Sequence, residues 1–383
     1  MTAGGWREVD LGDVVEFLDF KRRPLNSTER AARRGPFPYY GASGPIDSVD
    51  GYLFDGRYLL VAEDGENLNS RKLPVAFFAT GKFWVNNHVH IIRGLPGIFD
   101  DEFLKHWFAG ANISGYITGS AQPKLSQANM KRITVMAPNY ASQRRIASIL
   151  SAYDDLIENN TRRIAILEEM AWRIYEEWFV RFRFPGFESV RMVESELGPV
   201  PETWPIVRLD DVLVLQRGFD LPKQDRTEGP FPIVSATGAN ASHHEFKVRG
   251  PGVVTGRSGS LGTVMYVEGD FWPLNTTLWV KQFAVGSPLY AYYVLRSIDL
   301  VGFNSGAAVP TLNRNDVHGL PVLRPTAQVL AAFDEIVGPM IALKRRLELA
   351  SANLRTTRDL LLPKLISGEL DVSALPEPES VVT

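Results

Sequence analysis

Several short motifs in this sequence could carry catalysis, but each lacks a residue that the chemistry requires. No GxxxxGK[ST] phosphate loop is present. APNY (137–140) lacks the acidic or amide first residue and the third-position proline of an amino-methyltransferase tetrapeptide, and GRSGSLG (256–262) lacks the dinucleotide-binding spacing. His88 and His90 share one predicted strand face, as metal ligands would, but the sequence shows no carboxylate or cysteine partner. We therefore predict no catalytic residue, metal site or bound cofactor.

Polar side chains at matching places in the two halves of the chain could instead bind nucleic-acid bases. Glu63 and Arg257 each stand two residues before a matching glycine. A carboxylate accepts from cytosine N4, whereas a guanidinium binds guanine. For Glu63 and Arg257, the alternative to base contact is a solvated charge on a turn. For Asn86, Asn87 and Asn275, it is a role in shaping a turn. The predicted base-contact residues are Glu63, Asn86, Asn87, His88, Arg257, Ser258, Asn275 and Thr276.

The densest basic run lies near the N-terminus and is flanked by prolines, so we predict a loop. Its cations could contact phosphates, which position a protein on nucleic acid and dominate its affinity. A solvated loop is the alternative. Gln122 and Lys124 form a second, weaker candidate pair. The basic run consists of Lys21, Arg22, Arg23, Arg30, Arg33 and Arg34.

The elements that must position these residues occur twice. GPFPYYGASG (35–44) recurs as GPFPIVSATG (229–238), and FWVNN (83–87) recurs as FWPLN (271–275). Each copy contains short, Gly/Pro-punctuated segments and one aromatic helix, and we predict two mixed α/β domains, each dominated by a curved sheet. The predicted strands are 57–65, 72–80, 87–94, 251–259 and 277–285, and the predicted helices are 101–110 and 287–297.

Each copy is followed by a heptad pattern, which predicts two long helices that can pair along a seam. Asn139 or Ser142 could cap the first helix, and Asn160 is the polar residue well inside its seam. The first seam is Ile146, Leu150, Tyr153, Ile157, Asn160, Ile164, Leu167, Ala171, Ile174 and Trp178. The second is Val329, Phe333, Ile336, Met340, Leu343, Leu347, Ala350, Leu354, Thr357 and Leu361, each 183 residues after its counterpart.

Gly338-Pro339 interrupts the second pattern, because proline lacks a backbone donor and clashes with the preceding turn. A kink is one outcome. We favour another, in which a short helix ends near Val337 and the long helix starts with Pro339 at its first position. The seven seam positions from Met340 to Leu361 would then span about 30–35 Å.

Composition excludes several classes of protein. The 383 residues include no cysteine, which excludes disulfides and thiolate metal sites. The N-terminus lacks a signal-peptide pattern and no apolar run approaches membrane length, so we predict a soluble cytoplasmic protein. The net charge is −3, but residues 1–145 carry 18 Lys/Arg against 15 Asp/Glu, and residues 204–325 carry 11 against 10. The globular parts are thus slightly basic, which is weak support for nucleic-acid binding.

The order of domain, long helix, domain, long helix resembles the specificity subunit of type I restriction-modification systems. The resemblance rests on LEEMAWRIYEEWFVRF (167–182), ELGPVPETWPIVRL (196–209) and LLLPKLISGEL (360–370), and on two stretches of the first domain, 39–68 and 81–92. It covers nearly the whole chain. By this resemblance the segments are target-recognition domains 1–140 and 204–325, spacer helices 141–182 and 326–370 with a break near Gly338-Pro339, a linker 183–203 and a disordered tail 371–383.

The resemblance implies a non-catalytic subunit that reads double-stranded DNA. Each domain would read one half of a bipartite, asymmetric site and recruit one adenine-methylating subunit, with motor-nuclease subunits joining the complex. The helices would pair antiparallel as a spacer with pseudo-twofold symmetry. S-adenosylmethionine, ATP and magnesium would be bound by the partner subunits.

Trp178, Phe179 and Phe182 exceed what a two-helix seam can bury, so they would anchor either the methyltransferase subunit or the second domain. The alternative function is a non-enzymatic scaffold that carries two ligand-binding modules on a coiled-coil spacer.

Overall fold

The computed structural model describes residues 5–306 and 308–376, which divide into two compact units. Unit 1 comprises Met1–Asn160 and Leu349–Thr383, and unit 2 comprises Thr161–Glu348. Both long helices are divided by these boundaries, so each unit contains part of each helix. Among the described residues, no helix has the length and apolarity needed to cross a membrane.

Unit 1 is built on a six-stranded sheet in the order β2-β7-β5-β6-β3-β4, beside a two-stranded pair of β1 and β8. Its strands are β1 (Arg7–Asp10), β2 (Val15–Phe17), β3 (Phe37–Gly41), β4 (Gly44–Val49), β5 (Phe54–Ala62), β6 (Ala76–Val85), β7 (Val89–Gly94) and β8 (Thr134–Ala137). All pairings in the six-stranded sheet are antiparallel except β3 with β6. The strands predicted over 57–65, 72–80 and 87–94 are confirmed as β5, β6 and β7, with shifted ends.

The largest shift, at β6, has a local cause. Gly81 was interpreted as the end of the strand, but β6 continues through it to Val85. Gly81 lies directly opposite Gly56 of β5, and the two have φ values of +79° and +127°. Glycine tolerates this conformation, so the ladder bends there and does not end.

The helices of unit 1, apart from the exposed α2, contribute apolar side chains to its core. They are α1 (Leu11–Val14), α2 (Ser27–Ala32), α3 (Asn67–Ser70), α4 (Asp101–Gly110), α5 (Gln127–Lys131) and the first part of α6 (Tyr140–Tyr175). The predicted helix 101–110 is confirmed as α4, capped by Asp100, whose carboxylate accepts from Phe103 N at 2.8 Å. Asn139 caps α6 by accepting from Ser142 N at 2.9 Å. Ile146, Leu150 and Leu365 from the long helices join the same core.

Unit 2 repeats this plan with smaller sheets, in the orders β12-β18-β15-β16 and β14-β13-β17, and the pairs β9-β10 and β11-β19. Its strands are β9 (Met192–Ser195), β10 (Gly198–Pro201), β11 (Ile206–Arg208), β12 (Leu213–Arg217), β13 (Phe231–Ser235), β14 (Gly238–His243), β15 (Gly252–Gly256), β16 (Val264–Val267), β17 (Trp272–Pro273), β18 (Thr277–Phe283) and β19 (Pro321–Leu323). Strands predicted over 251–259 and 277–285 are confirmed as β15 and β18.

The helices of unit 2 are α7 (Pro288–Ser297) and α8 (Arg314–His318). Unit 2 also contains the end of α6 and the first part of α9 (Ala327–Ser367), as far as Glu348. The helix predicted over 287–297 is confirmed as α7, which Ser287 caps by accepting from Tyr290 N at 3.2 Å. A five-residue π-helix, Glu176–Val180, continues α6. Both units are mixed α/β domains, and the chain also carries two long helices.

Within unit 2 the long helices pack antiparallel. Glu168 Oε1 lies 2.5 Å from Lys344 Nζ, and the rings of Phe179 and Phe333 lie 5.1 Å apart. The later residue of α6, Phe179, thus contacts the earlier residue of α9, Phe333, so the two helices run in opposite directions. In unit 1, Arg358 of α9 binds Asp154 of α6, with Nη1 and Oδ1 2.7 Å apart. The pairing predicted from the heptads thus occurs inside each unit.

The predicted seam of α6 is buried or half-buried at all ten positions, but that of α9 is partly wrong. Ile336, Leu343, Ala350 and Thr357 are exposed, whereas the next residue in each case is more protected: Val337, Lys344, Ser351 and Arg358. At these four positions the inward-facing residue lies one place later than predicted, while the other six predicted positions are buried or half-buried. Lys344 and Arg358 face inward because each pairs with a carboxylate of α6. An apolar pattern cannot reveal such positions.

The break predicted at Gly338-Pro339 is also wrong, since α9 is a single helix through both residues. Pro339 is exposed, while Val337 and Phe333 are fully buried in the core of unit 2. The usual clash of a proline ring with the preceding Cβ is absent, because residue 338 is glycine. Apolar packing next to the proline offsets the one lost hydrogen bond.

The disordered tail predicted over 371–383 is wrong for its described part. Val372 is buried against the core of unit 1, and Leu375 N donates to Val372 O at 3.1 Å. Residues 377–383 lie outside the described residues.

Candidate nucleic-acid interface

A network of charged side chains lies at the ends of β5 and β7 in unit 1. Glu63 follows β5 directly, and its Oε2 lies 2.6 Å from Arg22 Nη1. The same guanidinium nitrogen donates to Val89 O at 2.7 Å, which ties it to β7. Lys124 Nζ lies 3.2 Å from the other carboxylate oxygen of Glu63. Three predicted interface residues, Arg22, Glu63 and Lys124, are thus brought together.

His90 and Asp19 form the buried floor of this network. His90 Nδ1 lies 2.6 Å from Asp19 Oδ2, and its Nε2 lies 2.7 Å from Leu125 O. Both ring nitrogens of His90 therefore lie within hydrogen-bond distance of an oxygen atom. Asp19 also accepts from Ile91 N at 2.9 Å and from Gln127 Nε2 at 2.9 Å. The network is saturated with hydrogen bonds.

Electrostatics keep both carboxylates ionised. Burial by itself would raise the pKa of Glu63, but the hydrogen bond from Arg22 and the charge of His90 outweigh burial and hold the pKa below its usual range. For Asp19, burial is likewise outweighed by the hydrogen bond and charge of His90, and its pKa is lowered. Asp19 and Glu63 therefore both carry a negative charge at neutral pH.

Asp19, Glu63 and His90 are the only group of His, Cys, Asp and Glu in the described part of the chain with the spacing of a metal site. The guanidinium of Arg22 already lies between the carboxylates, with Nη2 3.5 Å from Asp19 Oδ2. His90 Nε2 is engaged by Leu125 O. The geometry is that of an ion-pair network in which arginine supplies the positive charge.

The statement that the histidines lack carboxylate partners is wrong. His88 Nδ1 lies 2.7 Å from Asp64 Oδ2, and the His88 side chain is half-exposed. Asn86 is buried, and its Oδ1 accepts from His88 N at 2.8 Å, so Asn86 shapes the turn before β7. Asn87 is exposed at the tip of that turn. His88 and Asn87 are the members of this group that present side chains to solvent.

The basic segment is not the loop that its prolines indicated. Residues 27–32 form α2, because Asn26 and Glu29 make a reciprocal capping box. Arg30 Nε binds Asp47 at 2.9 Å, and Arg33 Nη2 binds Asp50 at 2.8 Å. These two arginines also lie over the rings of Tyr39 and Trp84. The remaining candidates are exposed: Lys21, Arg23 and Arg34.

Gln122 and Lys124 lie on the segment that closes the network. Lys124 is fixed by two backbone hydrogen bonds with Thr118, of 2.7 and 2.8 Å. Half of its side chain is exposed even though its ammonium contacts Glu63. Gln122 is exposed two residues earlier.

Unit 2 has backbone hydrogen bonds that correspond to those around Glu63, and we call this shared arrangement the backbone frame. In unit 1, Leu125 N donates to Glu63 O at 2.7 Å, and in unit 2, Leu312 N donates to Arg257 O at 2.8 Å. Glu63 N donates to His88 O at 2.9 Å, and Arg257 N donates to Thr276 O at 2.8 Å. The alignment of Glu63 with Arg257 is therefore confirmed. The same backbone position carries opposite charge in the two units.

The side chains around Arg257 differ from those around Glu63. Arg257 Nη1 donates to Asn275 O at 3.2 Å, and Asn275 Nδ2 donates to Asp220. Asp220 in turn binds Arg217 Nη2 at 3.0 Å. Thr276 Oγ1 is buried and has no hydrogen-bond partner among the described residues. Ser258 is half-buried and pairs with Thr311 through a backbone bridge.

Comparison with known proteins finds a family model that matches the first part of the chain. Residues 3–169 match the model of the type I restriction modification DNA specificity domain. The resemblance to type I specificity subunits is confirmed. A solved specificity (S) subunit, from the type I restriction-modification system of M. genitalium, has the same fold, with a TM-score of 0.70 over 95% of this chain and 97% of that chain at 16% identity.

Two curated specificity subunits are similar in sequence. The MjaIX specificity subunit of Methanocaldococcus jannaschii is 25% identical over 348 residues, which cover 83% of this chain and 80% of that protein. The putative specificity subunit S.HindORF215P of Haemophilus influenzae is 34% identical over 148 residues, which cover 38% of this chain. The latter match spans only 36% of the relative. The higher identity to the H. influenzae protein is therefore confined to part of this chain.

In this specificity-subunit fold, the aromatic cluster at the end of α6 has an internal partner. Trp178 and Phe179 are buried with Phe333 in the core of unit 2, and Phe182 packs edge-on against Trp204 at 5.7 Å. Of the two alternatives for these residues, the structure favours anchoring of the second domain. Trp178 and Phe179 are largely enclosed there, whereas Phe182 is half-buried.

Sequence reasoning missed three residues of or beside the charged network of unit 1. Asp19 and Gln127 were not singled out, and neither was Phe20, whose ring is 77% exposed beside the network. Phe20 immediately precedes three basic residues, and an aromatic residue next to a basic run is a signal that could have identified it.

Proposed function

We propose that this chain is the DNA-recognition subunit of a type I restriction-modification complex. Each unit reads one half of a bipartite, asymmetric site and recruits one methyltransferase subunit, and motor-nuclease subunits join the assembly. The chain performs no chemistry of its own. S-adenosylmethionine, ATP and magnesium are bound by the partner subunits.

One observation carries this proposal: two units share a backbone frame but differ in the charge that the frame presents. Leu125 N donates to Glu63 O, and Leu312 N donates to Arg257 O in the same way. Glu63 and Arg257 would therefore occupy equivalent positions relative to DNA. At this position unit 1 has a buried carboxylate that holds Arg22 and Lys124, and unit 2 has the half-buried guanidinium of Arg257, so the two units present different groups to the bases. Two copies of one reader with unlike side chains would recognise two unlike half-sites.

The roles within unit 1 follow from burial and pairing. Glu63 is buried and bound to Arg22 and Lys124, so it acts by positioning these cations. The exposed Asn87, His88, Gln122 and Lys124 side chains contact base edges or nearby phosphates. Lys21, Arg23 and Arg34 contact phosphates, which carry affinity without sequence information.

In unit 2, Arg257 is the main candidate for base contact, and Asn275 and Thr276 flank it. The buried Thr276 hydroxyl lacks a partner among described residues, and a polar group of this kind is stabilised when a ligand or water satisfies it. Ser258 lies on the same turn as Arg257.

Methylome sequencing of a strain that carries this chain with its modification subunit tests the proposal. The expected result is one adenine-methylated motif with two unlike half-sites separated by unspecified bases. Arg257→Ala should relax one half-site and leave the other intact, because the units read separately. Arg249→Ala, which removes an exposed arginine of unit 2, is the matched control. A continuous or palindromic motif would contradict the two-reader model.

A further inference from the structure

Phe20 is the most exposed large hydrophobic residue in the described part of the chain, at 77%. It occupies the middle of a 3-10 turn, Asp19–Lys21, that follows β2. Exposure of a whole phenyl ring forgoes the stabilisation that burial of such a side chain gives. Single exposed apolar residues are common on protein surfaces, so the significance of this ring depends on how it is held and on what surrounds it.

The turn that carries Phe20 is fixed on both sides. Leu18 is buried and its N donates to Ile91 O at 2.8 Å, while Asp19 is bound by His90, Ile91 N and Gln127. After the turn, Arg22 is held by Glu63 and Val89 O. With Asp19 before it and Arg22 after it anchored in the buried network, the ring cannot reach the core. The network therefore presents Phe20 outward.

The surroundings of the ring are cationic. Lys21 Nζ lies 5.6 Å from the ring centroid, and Arg22 and Arg23 follow directly. Lys124, half-exposed, reaches Glu63, which also binds Arg22. An apolar ring beside the Lys21 ammonium, on a segment that continues to the exposed Arg23, suits a polyanion with stacked bases, because cations bind the phosphates while the ring contacts the bases.

Unit 2 does not present an equivalent ring. The turn that follows β12 contains Phe219, whose N donates to Pro273 O at 2.8 Å. Its ring packs inward, with a centroid 6.2 Å from that of Trp279. Among the described residues, the turn after β12 therefore exposes no phenylalanine in the way that the turn after β2 exposes Phe20.

We propose that Phe20 is an apolar wedge that inserts at a base-pair step of the half-site read by unit 1. This inference rests on the proposed DNA-reading function. Insertion unstacks the step and bends the duplex, so Phe20 adds specificity through the deformability of that step, without a hydrogen bond to a base. Asp19, Arg22, Glu63 and His90 act as positioning residues for the wedge.

The test uses the full chain bound to its modification subunits and a duplex that contains the motif found by methylome sequencing. 2-Aminopurine is placed in turn at each step of the first half-site. We expect wild type to raise the fluorescence at one step and Phe20→Ala to abolish that rise. Phe20→Ala should weaken binding about tenfold or more, the range of an aromatic–base stack. Its dependence on salt should be unchanged, because no phosphate contact is lost.

Phe20→Trp should retain the fluorescence rise, and Phe219→Leu serves as the matched control in unit 2. An intact thermal transition of Phe20→Ala would show that the loss is local. If Phe20→Ala binds the motif as tightly as wild type, the wedge proposal is overturned. It is also overturned if Phe20→Ala fails to assemble with the modification subunits, because that result would indicate a protein contact. If wild type binds no motif duplex, the proposed function itself fails, which is a separate result.

Discussion

The carboxylate of Glu63 and the guanidinium of Arg22 lie 2.6 Å apart, and both side chains are largely protected from solvent. Arg22 leaves the turn after β2, and Glu63 follows β5. This ion pair links the turn that carries Phe20 to the end of the central sheet, and Lys124 and His90 extend the link. The stability of the pair should therefore determine the geometry of the first reader.

Glu63→Gln should destabilise unit 1 by about 3 kcal/mol, because it leaves Arg22 without its carboxylate partner in a protected site. Urea unfolding measures this loss, and hydrogen exchange at Val89 and Ile91 locates it. Glu66→Gln, at an exposed position nearby, is the control and should change stability by less than about 0.5 kcal/mol. Equal stability of the two variants would show that the ion pair contributes nothing.

His106 should make unit 1 sensitive to mild acid. Burial, together with the charge of Lys105, lowers the pKa of His106 from 6.5 to about 4. The unfolded chain binds this proton near pH 6.5, whereas the folded chain does so only near pH 4. The free energy of unfolding should therefore fall as the pH drops through that window, by up to about 3 kcal/mol.

Unfolding curves between pH 7 and 4 check this dependence. His106→Gln should flatten the pH profile, whereas His244→Gln, at an exposed site in unit 2, should leave it unchanged. An identical slope for wild type and His106→Gln would contradict the expected role of His106.

Asn160→Leu should raise the melting temperature by about 2–4 °C, since a buried amide in a helix seam costs stability that leucine recovers. Asn160 is buried, in agreement with its predicted seam position. Asn159→Leu changes an exposed neighbour and is the control. A lower melting temperature for Asn160→Leu alone would show that the amide stabilises the pairing of the helices.

Replacement of Lys21, Arg23 and Arg34 by alanine should weaken duplex binding and reduce its salt dependence. Each lost phosphate contact lowers the slope of log affinity against log salt by about 0.9. The charge-matched control replaces the exposed cations Arg7, Lys72 and Arg132. Titrations at several salt concentrations compare the two variants, and equal slopes would remove the basic segment from the interface.

The mistakes made from the sequence share a cause. Asn26 and Glu29 cap α2, yet the flanking prolines indicated a loop. Lys344 and Arg358 face inward on α9 because acidic residues of α6 pair with them, yet a seam was sought among apolar residues. In each case a specific polar contact outweighed the average preference of a residue type.

The sequence by itself determined the duplication, the main strands, α4, α7 and the existence of both long helices. These depend on hydrophobic periodicity and on glycine and proline positions, which are local properties of the chain. Only the tertiary structure decided that Asp19 meets His90, 71 residues away, and that Arg22 meets Glu63. Such pairs form where separate strands end at one edge of a sheet, and neither residue's own sequence neighbourhood encodes which partner it will meet there.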